Sequence, residues 1–135
     1  MSRSKQKKKF HDVYASIKPN DNFGTLFDSM CQSEAYKSLT LGEKQMYTMC
    51  RVQAKSPHGR KCLYKHGEEY GRKYDADKYF VFPAEHMAKY NIDRSNGGKW
   101  LKQLEEKGFI ERVECNKHIQ KVNVFAFSNK WENTN

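Results

Sequence analysis

The sequence predicts an α+β domain in which helices are combined with a small antiparallel sheet. Three observations indicate this class. Apolar residues recur at helical spacing in the first half of the chain and again over residues 84–107, and two short runs rich in aromatic and β-branched residues close the chain as a pair of strands. With 135 residues, the chain has the length of one domain.

The charge of the chain is positive and unevenly distributed. Lysine and arginine number 25 against 16 acidic residues, which gives a net charge of +9. A run without any acid precedes Phe10 and contains Arg3, Lys5, Lys7, Lys8 and Lys9. Residues 1–22 are interpreted as a disordered basic arm, residues 23–131 as the folded domain and residues 132–135 as a tail. This excess of positive charge favours binding to polyanions, with nucleic acid the first candidate and an acidic membrane surface the second. The alternative is that the charge only keeps the chain soluble.

Several classes of protein do not fit the sequence. No apolar run approaches the ~18 residues of a membrane helix, and the first residues lack the apolar segment of a secretory signal, so a soluble cytoplasmic protein is expected. No glycine-rich phosphate loop, H-E-x-x-H or G-x-S-x-G motif occurs, so we expect neither an enzyme, nor a cofactor, nor a small-molecule substrate. The spacing closest to a metal site is His58-x3-Cys62-x3-His66, which fits zinc poorly, and the four cysteines are interpreted as free thiols.

A capping box at Thr40-x-x-Glu43 predicts the start of the first long helix, which is expected to run for about 14 residues. Its methionine-rich apolar face is interpreted as core. An apolar segment over 23–30 and a short helical piece over 33–39 precede it, and this region is the candidate surface for a homodimer. Residues 56–78 show no clear period and are interpreted as an irregular insertion, either a long loop or a hairpin.

The second half of the chain is more regular. YFVF (79–82) predicts a strand, and Pro83 starts a helix of about two turns. Asn91-Ile92-Asp93 predicts a tight turn in which Asp93 caps the next helix, which runs from Arg94 to Lys107. Gly108 ends that helix in a left-handed conformation, with Phe109 folding back.

The runs FIERVE (109–114) and KVNVFAF (121–127) then predict two strands joined by a polar connection. Strand, short helix, tight turn, longer helix and hairpin together predict a winged helix-turn-helix. In that arrangement the second helix enters the major groove of double-stranded DNA with its N-terminal residues toward the base edges. The outward positions of this helix are Arg94, Ser95, Asn96, Lys99, Lys102 and Gln103.

The chemistry of these side chains predicts their roles. Asn96 or Gln103 suits the adenine edge, Lys99 or Arg94 suits guanine, and Lys102 suits a phosphate. An alternative explanation is a solvated helix face on which Lys102 pairs with Glu106. In the wing, Lys117, His118 and Lys121 are predicted to contact the DNA backbone or to enter the minor groove. His118 is equally explained as a residue at a loop tip that makes no DNA contact.

Two glycines depart from an ordinary recognition helix, because each costs about 1 kcal/mol of helix propensity relative to alanine. Gly97-Gly98 indicates close approach, either of DNA or of another part of the chain. We favour packing, with Gly97 facing inward and leaving room for Trp100, which is expected to be partly buried.

Two quoted segments resemble a known group of proteins. SEAYKSLTLGEKQMY and FVFPAEHMAKYNIDRSNGGKWLKQLEEKGFI are similar to small winged-helix proteins of phages, plasmids and integrative elements, and VNVFAFSNKW resembles their Gram-positive members. The resemblance covers about residues 30–131. It implies a role in replication, DNA transfer or transcription control.

The sequence thus predicts a double-stranded DNA-binding protein of a mobile genetic element. The alternative is a winged-helix protein–protein interaction module whose basic surface is incidental and whose contact surface is formed by tyrosines in an exposed loop. Those tyrosines are Tyr64, Tyr70, Tyr74 and Tyr79. RNA binding is less favoured, because no RNA-binding motif is present.

Overall fold

The computed structural model describes residues 26–69, 71, 73–114 and 123–133. Helices and one antiparallel sheet occur together there, which confirms the α+β class. The helices are α1 (Asp28–Cys31), α2 (Glu34–Lys37), α3 (Leu41–Lys55), α4 (Pro57–Glu69), α5 (Ala84–Lys89) and α6 (Arg94–Glu106). The strands are β1 (Tyr79–Val81), β2 (Ile110–Glu114) and β3 (Val124–Phe127), followed by a 3-10 turn at Lys130–Asn133.

The described residues before α2 are less helical than the apolar spacing of this segment predicts. Of the expected apolar segment over 23–30, residues 23–25 lie outside the described part, and α1 has only four residues. Leu26 and Phe27 are 40% and 55% exposed, so Met30 is the apolar residue of the described part of this segment that reaches the core. The predicted arm also lies outside the described residues, and the predicted tail begins within the closing 3-10 turn.

Helix α3 confirms the predicted capping box. The Thr40 hydroxyl accepts a hydrogen bond from the Glu43 backbone N–H at 3.2 Å, and the Glu43 carboxylate accepts one from the Thr40 N–H at 2.9 Å. These two bonds satisfy N–H groups that have no partner inside the helix. The methionine-rich face is core as predicted: Met46 and Cys50 are fully buried, and Met49 packs at its edge.

The predicted irregular insertion over 56–78 is wrong across its first half, where α4 forms. Ser56 ends α3 and starts α4, because its hydroxyl accepts from the Gly59 N–H at 3.0 Å. Helix α4 buries a narrow side on α3 and β1, with Leu63 only 1% exposed. Other buried positions on this side are glycine and histidine, such as Gly59 and His66, so the helical period carries little apolar signal.

The sheet has the strand order β1-β3-β2, and both pairs are antiparallel. Tyr79 pairs with Ala126 on one edge, and Ile110 pairs with Phe127 on the other. The core lies between this sheet, α3 and α6, where Tyr47 and Phe109 make an edge-to-face ring contact at 5.8 Å. This layout of helices and sheet is compatible with the winged helix-turn-helix expected from the sequence.

Candidate nucleic-acid interface

The turn between α5 and α6 sets the direction of α6. Asn91 has a left-handed φ of 58°, and the Ile92 N–H donates back to the Met87 carbonyl at 2.9 Å. Ile92 is 7% exposed, so it anchors the turn in the core. The Asp93 carboxylate accepts from the Asn96 N–H at 3.3 Å, which confirms the predicted N-cap.

The other end of α6 closes as the sequence predicts. Gly108 has a φ of 86°, in the left-handed region that glycine tolerates best. The Phe109 N–H donates to the Leu104 carbonyl at 3.0 Å, and the Gly108 N–H donates to the Glu105 carbonyl at 3.2 Å. Phe109 is fully buried, so this cap also holds α6 against the core.

The inner face of α6 explains one glycine and corrects its expected neighbour. A Cβ at Gly97 would lie 2.5 Å from the Met87 sulfur and 3.1 Å from Ile92, so the room at this position lets α5 and the turn approach. Trp100 instead packs beside Gly42 of α3, where an added Cβ would come 2.5 Å from the indole ring. Trp100 is half-buried, as predicted. Gly98 has nothing within 4 Å of an added Cβ.

The outer face of α6 carries most of the predicted DNA-reading side chains. Five are exposed, namely Arg94, Ser95, Asn96, Lys99 and Lys102, whereas Gln103 is half-buried. Three of the exposed residues are cations: Arg94, Lys99 and Lys102. Among the described residues none of them forms an ion pair, so the alternative pair between Lys102 and Glu106 is not made. The cations therefore have no acidic partner in the described part of the chain.

The acidic end of α6 is partly neutralised within the fold. Glu105 accepts from the Arg112 N–H at 3.1 Å and pairs with its guanidinium at 3.6 Å. Lys107 donates to the buried Glu43 carboxylate at 2.7 Å, which ties the end of α6 to the start of α3. The positive end of the helix macrodipole lies at the opposite end, beside Arg94, so the first turns of α6 are suited to an anion.

The predicted wing contacts are not tested. Lys117, His118 and Lys121 lie outside the described residues, as do the arm cations, and their roles stay predictions. The two strands on either side of the predicted wing, β2 and β3, are paired, with an irregular register between Arg112 and Glu114.

A polar cluster behind α5 was not predicted from the sequence, where His58 was considered only as part of a spacing that fits zinc poorly. The Gln53 amide nitrogen donates to the Val81 carbonyl at 3.0 Å and lies 2.7 Å from His86 Nδ1. His58 Nε2 lies 3.0 Å from both the Gln53 amide oxygen and the Tyr90 hydroxyl. Burial lowers the pKa of both histidines, and Lys89 lowers them further; His86 adds to the effect on His58.

The tyrosine surface predicted for a protein-interaction module is not formed as expected. Tyr74 is only 7% exposed, and Tyr79 packs against it with ring centroids 5.0 Å apart. Tyr64 remains 46% exposed, and Tyr70 lies outside the described residues. Tyr74 belongs to the smaller core cluster around Leu63, and Tyr79 packs against that cluster.

Over residues 26–69, 71, 73–114 and 123–133, no three His, Cys, Asp or Glu side chains are arranged to hold a metal ion. In the same part of the chain, no helix combines the length and the apolar character needed to cross a bilayer. Comparison of the chain with models of protein families, with curated proteins and with solved structures gives no significant match.

Proposed function

We propose that this protein binds double-stranded DNA through a winged helix-turn-helix in which α6 enters the major groove. The observation that carries the proposal is the outer face of α6, where Arg94, Lys99 and Lys102 are exposed without an acidic partner among the described residues. The opposite face is held rigidly by Leu101 and Leu104, which are 5% and 0% exposed. A helix fixed on one side and cationic on the other is suited to a groove lined by phosphates.

The polar residues of the same face are suited to reading bases. An asparagine such as Asn96 pairs in a bidentate manner with adenine, and Arg94 or Lys99 matches the acceptor pair of guanine. Lys102 stands two turns from the helix start and suits a phosphate, which fixes register without reading sequence. Gln103, being half-buried, is the weakest member of the predicted set.

The biological setting is proposed from the quoted segments alone. Their resemblance to winged-helix proteins of phages, plasmids and integrative elements supports a role in replication, DNA transfer or transcription control. Inverted or direct repeats beside the protein's own gene, protected in a footprint, would identify which of these roles applies, and paired half-sites would indicate a homodimer.

The test compares single substitutions on α6 with a matched charge loss elsewhere. Lys99→Ala and Asn96→Ala are expected to weaken binding to a selected duplex by ~1–3 kcal/mol, because each removes a base-edge contact. Lys37→Ala is the control, since Lys37 lies on α2 and is paired with Glu34 at 3.7 Å. Fluorescence anisotropy gives the affinity, and thermal unfolding confirms that the variants remain folded.

Two outcomes would contradict the proposal. Equal affinities of both α6 variants and the Lys37→Ala control would remove α6 from the reading surface. No retardation of any duplex at low salt would favour the protein-interaction module, although Tyr74, one of its predicted contact residues, is buried.

A further inference from the structure

Helix α4 contacts α5 and the residue that follows it. Near the start of α4, the His58 ring lies 4.7 Å from the His86 ring, and its Nε2 lies 3.0 Å from the Tyr90 hydroxyl, which follows the end of α5. One turn further along α4, burial and then the nearby Glu85 carboxylate raise the pKa of the Cys62 thiol. The start of α4 therefore adjoins the turn that leads into α6.

The exposed cations of α4 lie on two different sides of the helix. At 3.6 residues per turn, Lys61 and Lys65 lie on the side of α4 that borders α5, whereas Arg60 lies on the far side. The electrostatics agree with this placement, because Lys65 acts on the pKa of Cys62 and Arg60 acts on the pKa of Asp77. In the described part of the chain, Lys61 and Lys65 form no ion pair.

We propose that Lys61 and Lys65 bind the phosphate backbone of double-stranded DNA next to the stretch that α6 reads. The inference rests on the proposed function and extends the DNA contact to a helix outside the helix-turn-helix. In that motif the first helix, here α5, crosses the DNA backbone. Lys61 and Lys65 are exposed on α4, and the exposed Lys89 at the end of α5 lies near the start of α4, where its charge lowers the pKa of His58.

Lysine contacts of this kind have a measurable signature. Each neutralised phosphate releases counterions, so the logarithm of affinity falls with the logarithm of salt by ~0.9 per contact. Removing one contact weakens binding to all sequences alike and flattens this dependence, whereas removing a base contact changes sequence preference. The two kinds of contact can therefore be separated in one set of titrations.

The experiment uses the full chain with Lys61→Gln and Lys65→Gln, and Arg60→Gln serves as the control with the same charge loss on the same helix. A mixed-sequence duplex is titrated over a range of salt. Each lysine variant is expected to lower the salt slope by ~0.9, so that a fourfold rise in salt weakens its binding by a factor roughly 3.5 times smaller than in the wild type. Arg60→Gln should keep the wild-type slope.

The outcomes separate this inference from the proposed function. If Lys99→Ala weakens binding but the two α4 lysine variants behave like Arg60→Gln, the α4 contact is overturned and the α6 interface stands. If the wild-type protein binds no duplex, both are overturned. A hydroxyl-radical footprint that shortens on one flank in Lys61→Gln and Lys65→Gln, with unchanged melting temperatures, would support the α4 contact.

Discussion

Adjacent glycines in α6 have opposite surroundings. Gly97 is buried, and a methyl group there would meet the Met87 sulfur at 2.5 Å. Gly98 is exposed, and a methyl group there would meet nothing within 4 Å. Both positions are helical, so alanine would gain the same ~1 kcal/mol of helix propensity at each. Only packing distinguishes them.

This contrast predicts substitution effects that differ by position. Gly98→Ala is expected to raise the free energy of unfolding by ~0.5–1 kcal/mol, because the helix gains propensity without a clash. Gly97→Ala is expected to be less stable than Gly98→Ala by ~1–3 kcal/mol, since Met87 and Ile92 must shift to admit the methyl group. Urea unfolding of both variants measures this difference, and equal stabilities would show that the contact of α5 with α6 is loose.

Several elements meet at one polar cluster. Gln53 of α3 contacts His58 of α4 and His86 of α5, and it also donates to the Val81 carbonyl of β1. Because the Gln53 amide nitrogen is committed as a donor, the facing Nδ1 of His86 must be an acceptor, which requires a neutral ring. A second proton on His86 would place two donors against each other.

The cluster predicts acid sensitivity at the junction of these elements. Burial lowers the pKa of both histidines, so the unfolded chain, with a histidine pKa near 6.5, binds more protons than the folded one below that pH. Since stability rises with pH wherever the unfolded state binds more protons, the free energy of unfolding is expected to fall as the pH decreases through about 6.5. The charges around the rings are Lys89, which opposes protonation, and Glu85, which favours it at His86.

Urea unfolding between about pH 7.5 and 5.5 tests this, because the carboxylates titrate mostly below that range. The double variant His58→Gln/His86→Gln is expected to show a smaller loss of stability over this range than wild type. Glutamine at position 86 keeps an acceptor for Gln53, so the variant is designed to fold. An identical pH dependence in wild type and variant would assign the acid sensitivity to other groups.

The positive charge is concentrated in the predicted arm and on the exposed faces of α6 and α4. The arm carries five cations before Phe10, while the outer face of α6 and the exposed face of α4 carry the others considered above. In the described part, carboxylates such as Glu43, Glu105 and Glu111 are engaged by Lys107, Arg112 and Lys130. A field arranged in this way draws in a polyanion before specific contacts form.

Deleting residues 1–9 is therefore expected to reduce non-specific affinity while leaving base preference unchanged. The salt slope should fall by ~0.9 for each arm cation that contacts a phosphate. Titration of the truncated chain against duplexes of matched and mismatched sequence measures both quantities. An unchanged slope would show that the arm serves another purpose.

Prediction from sequence was accurate where the signals are local. The capping box at Thr40, the turn ending at Asp93 and the left-handed Gly108 all lie at the predicted positions, because each depends on hydrogen bonds between residues a few positions apart. The outward set on α6 was also mostly predicted, since the helical period places side chains on faces. Gln103 is the exception, being half-buried.

The sequence by itself determined the caps, the helix period and the excess of positive charge, which act within a turn or require no neighbours at all. Only the tertiary structure decided that α4 is a helix, that Tyr74 is buried and that His58 meets Tyr90, which lies 32 positions away. Such contacts depend on which surfaces the chain brings together. A helix whose buried side combines a single leucine with glycine and histidine shows its packing only when α3, β1 and α5 are in place around it.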